Sequence, residues 1–282
     1  MLSKYKIYLK WFNAVILTKI ATMKKQRFYY VIKLQYLGFR FSGWQKQPGQ
    51  KTVEGMITKT LKFILPNSEF KILSAGRTDS KVSALDAAFE LFINEPLTDF
   101  EAFIGLFNKN LPSDIRVMSI KEVNEDFNII QDPKVKEYVY LFSYGSKNHP
   151  YSSPFITNVL DELDLELMKK AASLYVGTHD LSVYTVKAQN NAHKKRTITS
   201  CEIIENKILQ ANFFPEKSYA FRVEGPGFMR YQIRMMMGAL IQLGKGELLF
   251  ADIENSLSNP ESIELTYVAP GSGLLLNRLD LD

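Results

Sequence analysis

The chain has 282 residues, of which 46% are hydrophobic and 23% charged, with a net charge of +5. These are globular values, and they exclude a disordered, collagen-like or disulfide-dense chain. One cysteine, Cys201, and three histidines exclude an intramolecular disulfide and a Cys/His zinc site, and they fit a reducing compartment.

The charge is uneven. Residues 1–53 hold eleven Lys or Arg and no acid; Glu54 is the first, and the remaining 229 residues carry 24 basic and 30 acidic side chains. That asymmetry predicts either a localised anion-binding face or a solvated basic leader. The apolar run at 11–17 sits between Lys10 and Lys19, far short of the roughly 20 apolar residues that a bilayer span needs. Lys19 also spoils a secretory signal. Residues 1–24 read as a peripheral extension, Met23 as close to the functional start, and the cytoplasm as the default location.

Residues 27–35 are rich in Tyr, Phe, Val and Ile and predict a strand. Gly38 and Gly43 break the next stretch into a loop. Thr52 is a good N-cap for a helix, with Val53, Met56, Ile57, Leu61, Ile64 and Leu65 at helical spacing and Pro66 as its stop. A short strand at 71–75, a polar loop at 76–84 and an alternating strand at 87–93 follow. Thr98-x-x-Glu101 reads as a capping box for a helix to 107. A turn at 110–114 leads to a strand at 115–123. The order β-α-β-β-α-β is that of a split βαβ, or ferredoxin-like, unit.

The second half predicts a strand at 134–142, a loop at 143–154 and a helix at 163–175 closed by Gly177. A hairpin of 197–205 with 207–214 around Asn206, a strand at 218–224, an apolar helix at 228–243, a short helix at 248–257 and a last strand within 273–280 complete it. This is another α+β unit. Two such units side by side predict one extended antiparallel sheet with a cleft between the halves, divided as 25–120 and 121–282.

Three segments concentrate chemistry. Gly76-Arg77-Thr78-Asp79-Ser80 lies in a loop between two apolar strands. It reads as a carboxylate in a basic pocket or as an Asx-turn with a surface ion pair. In Lys136-Glu137-Tyr138-Val139-Tyr140, the residues Lys136, Tyr138 and Tyr140 share a strand face, where tyrosine rings either stack on a nucleobase or pack the core. In 227–234, Arg230 and Arg234 are four apart on a mostly apolar predicted helix. A buried arginine needs a carboxylate or phosphate, and Asp79 is the attractive partner for Arg234. Two weaker segments are candidate nucleic-acid edges: the loop 36–47, with Tyr36, Phe39, Phe41, Trp44, Arg40 and Lys46, and the run His193-Lys194-Lys195-Arg196.

These pieces resemble the tRNA pseudouridine synthase A family. The matching segments run from about residue 27 to 280: YLGFRFSGWQKQP at 36–48, TVEG at 52–55, AGRTD at 75–79, NLPSDIRV at 110–117 and KEYVY at 136–140. Later come 193–197, GFMRYQIRMMMG at 227–238 and GLLL at 273–276. The resemblance implies the pseudouridine synthase fold with a central basic cleft, and isomerisation of uridine in structured RNA, foremost the tRNA anticodon stem-loop at positions 38–40. It places the essential aspartate on Asp79, the base-stacking tyrosine on Tyr138 and the arginine paired with the aspartate on Arg234. Arg77, Lys81, Arg40, Trp44, Lys195, Arg196 and Arg230 become the candidate RNA contacts. It also implies no cofactor, no metal, no membrane and a homodimer that clamps tRNA.

The chain departs from the family pattern at four places. Lys81 stands where the family has Gly, Ser83 where it has His, Phe127-Asn128-Ile129-Ile130 where it has F-H-A-R, and Met235 where Asn is common. These departures motivate an alternative, a catalytically impaired RNA-binding protein or tRNA folding chaperone. A further alternative is an interaction protein that uses only the fold.

Overall fold

The computed structural model describes residues 26–131, 135–186 and 194–281. The predicted N-terminal extension, Lys134 and His193 lie outside the described residues.

In the first half, strand β1 (Phe28–Tyr36) turns Tyr30, Ile32, Leu34 and Tyr36 inward at period two. Helix α1 (Val53–Ile64) starts where the Thr52 side chain accepts from the Gly55 N–H, and it buries Val53, Ile57 and Leu61. Strands β2 (Phe70–Ser74) and β3 (Ser83–Ile93) flank the Gly76–Ser80 loop. Helix α2 (Phe100–Asn110) is capped by Asp99, whose carboxylate accepts from Ala102 N–H. The predicted capping box was therefore one residue early. Strand β4 (Ile115–Val123) pairs with β1 as far as Val123 opposite Tyr29.

The second half runs β5 (Val135–Tyr144), β6 (Thr157–Val159), α3 (Leu165–Ser173), β7 (Gly177–Asp180), β8 (Lys195–Ile198), β9 (Ser200–Glu205), β10 (Tyr219–Gly225), α4 (Gln232–Gly244), α5 (Phe250–Ser258) and β11 (Leu274–Asp280). Two expectations fail here. Residues 207–214 form no strand; the link from β9 to β10 is a long connection in which Asn206 bonds Ile208, Leu209 and Ser218. The apolar helix begins at Gln232, not 228, so Arg230 lies in the preceding loop and shares no helical face with Arg234. Apolar periodicity cannot detect this start, because the interruption is a backbone reversal at Tyr231.

Nine of the described strands form one large, mostly antiparallel sheet in the order β4-β1-β3-β11-β5-β10-β9, with β2 on β3 and β6 on β5. The two parallel pairings are β11 with β3 and β6 with β5. Strands β7 and β8 form a separate ribbon. One face of the sheet carries two cores. In the first half Tyr30, Ile32, Phe89 and Leu91 pack with Ile57, Leu61 and Phe107 of the helices. In the second, Phe142, Phe221 and Val223 pack with Met168, Met236, Met237 and Leu240. Helix α4 is buried on nearly every side within its own half, which its apolar sequence requires. Met235, the departure from Asn, is part of that core. Among the described residues, no helix is long and apolar enough to cross a membrane.

The junction of the halves positions the site. Strand β11 pairs with β3 on one edge and β5 on the other, and Leu276 lies opposite both Ala84 and Tyr138. Ala84 is five residues past Asp79. Two inter-strand spacings, about 10 Å, therefore separate the exit of the aspartate loop from the Tyr138 backbone.

Candidate active site

The loop 76–82 is held from three directions. Trp44 N–H donates to the Thr78 carbonyl at 3.0 Å, and the Tyr36 hydroxyl bonds Thr78 Oγ1 at 2.9 Å. Lys81 N–H donates to the Phe41 carbonyl at 3.1 Å. Lys136 Nζ donates to the carbonyl of Ala75, at the loop's entrance, at 2.8 Å. Gly38 sits so close to the Val82 carbonyl that a Cβ there would collide with it. The backbone bonds are satisfied by neighbouring segments, so the Asp79 side chain is free to face the junction.

There it meets Arg234. Arg234 Nη1 donates to Asp79 Oδ2 at 3.3 Å, and Nε donates to the Ala269 carbonyl at 2.7 Å. The two side chains are 14% and 16% exposed, so the pair is largely withdrawn from water. A cavity of about 580 Å³ opens over it, lined by Asp79, Tyr138, Arg77, Lys136, Phe228 and Arg230 among others. The partly buried Tyr138 ring meets Phe228 edge-on at 5.4 Å. Its strand neighbour Tyr140 is fully buried and bonds Thr157 and the Pro270 carbonyl, so of the two rings only Tyr138 lines the cavity.

Burial raises the Asp79 carboxyl above its usual range, outweighing the charge and hydrogen bond of Arg234 and the charge of Arg230, which lower it. Burial, with the Asp79 carboxylate beside it, pushes the Tyr138 phenol up to about 12. Desolvation lowers the Lys136 ammonium. The arrangement offers an unusually basic carboxylate with a fixed counter-charge, beside an aromatic wall, in a space large enough for a nucleobase.

The structure brings Asp79, Tyr138, Arg77 and Arg230 to one cavity, and Arg234 joins them through its contact with Asp79 without lining it. The partner of Asp79 is Arg234 and not its loop neighbour Arg77. Arg40, Lys81, Lys195 and Arg196 do not line it. Arg40 donates through Nε and Nη2 to Asp114. Lys195 and Arg196 lie on the β7–β8 ribbon. Trp44 corrects the expectation of a stacking edge: it is 3% exposed, with its ring against Tyr36 and Phe89 in the first core. Tyr36 and Phe41 are buried with it, because the loop folds down on the sheet. Lys81 has φ 66°, the left-handed conformation that glycine adopts at no steric cost, which accounts for glycine as the usual residue there. Sequence reasoning missed Tyr231, whose ring lies under both Arg230 and Arg234; no sequence signal marks a left-handed tyrosine.

Comparison with known proteins supplies the context. The profile of a family described as tRNA pseudouridine synthase matches residues 171–280, a span that includes Arg234 and leaves out Asp79 and Tyr138. The tRNA pseudouridine synthase A of Streptococcus agalactiae serotype Ia is 30% identical over 251 residues, covering 89% of this chain and 94% of that protein. That of Thermodesulfovibrio yellowstonii is 28% identical over 253 residues, covering 87% and 96%. The tRNA pseudouridine synthase A 2 of Bacillus anthracis is 29% identical over 252 residues, covering 89% and 98%.

Proposed function

We propose, because this chain belongs to the tRNA pseudouridine synthase A family, that Asp79 is the carboxylate with which it isomerises uridine to pseudouridine in tRNA. The observation that carries this assignment is the withdrawn Asp79–Arg234 pair at the floor of a cavity walled by Tyr138. The target nucleotide is flipped into the cavity; unstacking costs a few kcal/mol, which contacts in the pocket offset. Tyr138 supplies the stacking face. Asp79 acts on the ribose or the base so that N1–C1′ breaks; the uracil turns while held, C5 bonds to C1′, the C5 proton leaves and N1 gains one. Burial holds the Tyr138 phenol up to about 12, and the C5 proton passes to Asp79 or Tyr138, both of which face the cavity. Arg234 holds the counter-charge throughout.

Several finer readings accompany this one. The strand orders β4-β1-β3-β2 and β11-β5-β10-β9, each with its helices, support two split βαβ units meeting at a basic cleft. The surplus of Arg and Lys over carboxylates along the cavity supports an RNA phosphate track through Arg77 and Arg230. We further read the protein as a cytoplasmic homodimer acting on the anticodon arm, as the family resemblance implies.

The test is nucleotide-resolution pseudouridine mapping on unmodified tRNA transcripts incubated with the full chain. The expected product is pseudouridine in the anticodon arm; its absence from every tRNA would overturn the reading. Lys81 adds a second expectation. The exposed cation, two residues from Asp79, reaches phosphate at the cost of left-handed strain. Lys81→Gly should relieve about 1–2 kcal/mol of strain, less the 0.5–1 kcal/mol entropic penalty of glycine. Thermal denaturation should show a melting temperature about 1–3 °C higher. Binding titrations should show weaker tRNA affinity, with a salt slope smaller by about 1.

A further inference from the structure

Two non-glycine residues among those described have left-handed backbone, Lys81 at φ 66° and Tyr231 at φ 63°. They flank the site from opposite halves: one lies two residues after Asp79, the other three before Arg234. L-residues rarely adopt this conformation, and asparagine tolerates it far better than tyrosine. Strain of this kind persists where the surroundings over-determine it, and it clusters at functional sites.

Tyr231 is the N-cap residue of α4, and its side chain makes no capping hydrogen bond. Capping does not call for a tyrosine, since Ser, Thr, Asp and Asn serve that role better; the ring packs against the edge of the second core as well. What the conformation does is turn the ring beneath two guanidinium groups. The Arg234 guanidinium carbon lies 5.1 Å from the ring centroid and that of Arg230 4.8 Å. Arg230 Nη2 also donates to the Tyr231 hydroxyl at 3.1 Å. The Arg234 guanidinium is then held on three sides: by the ring, by the Ala269 carbonyl and by Asp79.

We propose that Tyr231 is a positioning residue of this isomerase, its ring bracing Arg234 against Asp79 and its hydroxyl holding Arg230 at the cavity mouth. The role rests on the reading of Asp79 as the catalytic carboxylate. An arginine side chain is long, and ordering it carries an entropic cost. Arg234 reaches Asp79 through one 3.3 Å contact. A planar cation over an aromatic face is attracted to it and loses its freedom to swing away. The counter-charge is therefore in place before substrate arrives, which is the condition for electrostatic stabilisation without reorganisation.

The test compares Tyr231→Asn and Tyr231→Phe with the unaltered enzyme, reading melting temperature, kcat, KM for tRNA and the acidic limb of the kcat–pH profile. Asparagine relieves the backbone and removes the ring. Its melting temperature should stay within a few degrees of the parent's, relieved strain offsetting the lost packing, while kcat falls about tenfold or more, a combination that a purely structural role does not produce. Its acidic limb should move to higher pH, because Asp79 loses a fixed cation. The groups facing Asp79 are Arg234 and Arg230 from the α4 side and Tyr138 from β5, with Arg77 and Lys136 further along the cavity wall. Tyr231→Phe keeps the ring and should recover most of the lost kcat, with a KM several-fold higher through the freed Arg230.

Parental kcat and an unmoved acidic limb in Tyr231→Asn would overturn the inference, as would a phenylalanine variant no better than asparagine. Should the asparagine variant fail to fold, Tyr231→Leu keeps an apolar side chain on the core without the aromatic face and decides by the same readouts. Asp79→Asn in the same assay separates the two levels. If it retains parental turnover, the catalytic reading itself fails; if it is inactive while Tyr231→Asn behaves like the parent, only the bracing role fails.

Discussion

Asp79→Asn should abolish pseudouridine formation, by at least about 10³-fold in single-turnover rate, without lowering the melting temperature at neutral pH. Asparagine keeps the shape and one acceptor but has neither the charge to attack nor the basicity to take a proton. The stability half of this expectation follows from the direction of the pKa shift. Burial raises the Asp79 carboxyl above its ordinary value of 3.8 despite Arg234. Between the unfolded and the folded pKa the native state holds more protons than the unfolded one, so stability falls as pH rises through that window. At pH 7 the cost of the buried charge is complete, and asparagine removes it. Below the unfolded pKa both states are protonated, and the cost disappears. Melting curves at pH 7 and near pH 3 test this. A clear loss of stability in Asp79→Asn at pH 7 would show that the pair with Arg234 outweighs burial. The parent's rate should also decline on acidification with an apparent pKa above that of an exposed aspartate.

The second large effect belongs to Arg234. Arg234→Met should cost about 10²-fold in rate and about 1–3 kcal/mol in stability. It leaves the Asp79 carboxylate partly buried without a cation and takes the Nε donor from the Ala269 carbonyl. The remaining exposure of both side chains keeps the stability loss below that of a fully buried pair. The acidic limb of the rate profile should shift upward, because desolvation is then opposed by Arg230 alone. Adding Asp79→Asn to Arg234→Met should restore part of the lost stability, since the uncompensated charge is gone. A double-mutant cycle reads this as a coupling energy. Strict additivity would mean that the 3.3 Å contact carries no energy.

These predictions depend on features that differ in how far the chain announces them. Strands β1 and β4 and helix α1 carry their own signals: alternation at Tyr30, Ile32 and Leu34, a Thr52 cap, a stop at Pro66. Such signals are local, so a single sequence displays them. The hairpin predicted around Asn206 fails because β10 takes the pairing with β9 that residues 207–214 would have made, while Asn206 bonds Ile208, Leu209 and Ser218 and turns the chain into a long connection. The aromatic loop at 36–47 misleads for the opposite reason. Tyr36, Phe41 and Trp44 read as an exposed edge by their interleaving with Arg40 and Lys46, but rings of that size are driven into the core when a sheet face lies beneath them.

By itself the sequence determined the α+β class, most element positions, the family through its ordered motifs, and the three residues Asp79, Tyr138 and Arg234 as candidates. Local periodicity, capping chemistry and motif spacing are enough for that. The pairing of Asp79 with Arg234 is legible in the motifs; only the tertiary structure decided that burial outweighs the arginine at the Asp79 carboxyl, that β11 stitches the halves together beside it, and that Tyr231 turns its ring under both guanidinium groups. Each of these depends on strand register across the junction or on one reversed backbone angle. Neither leaves a mark in composition or periodicity, because both are set by what the distant half of the chain places alongside.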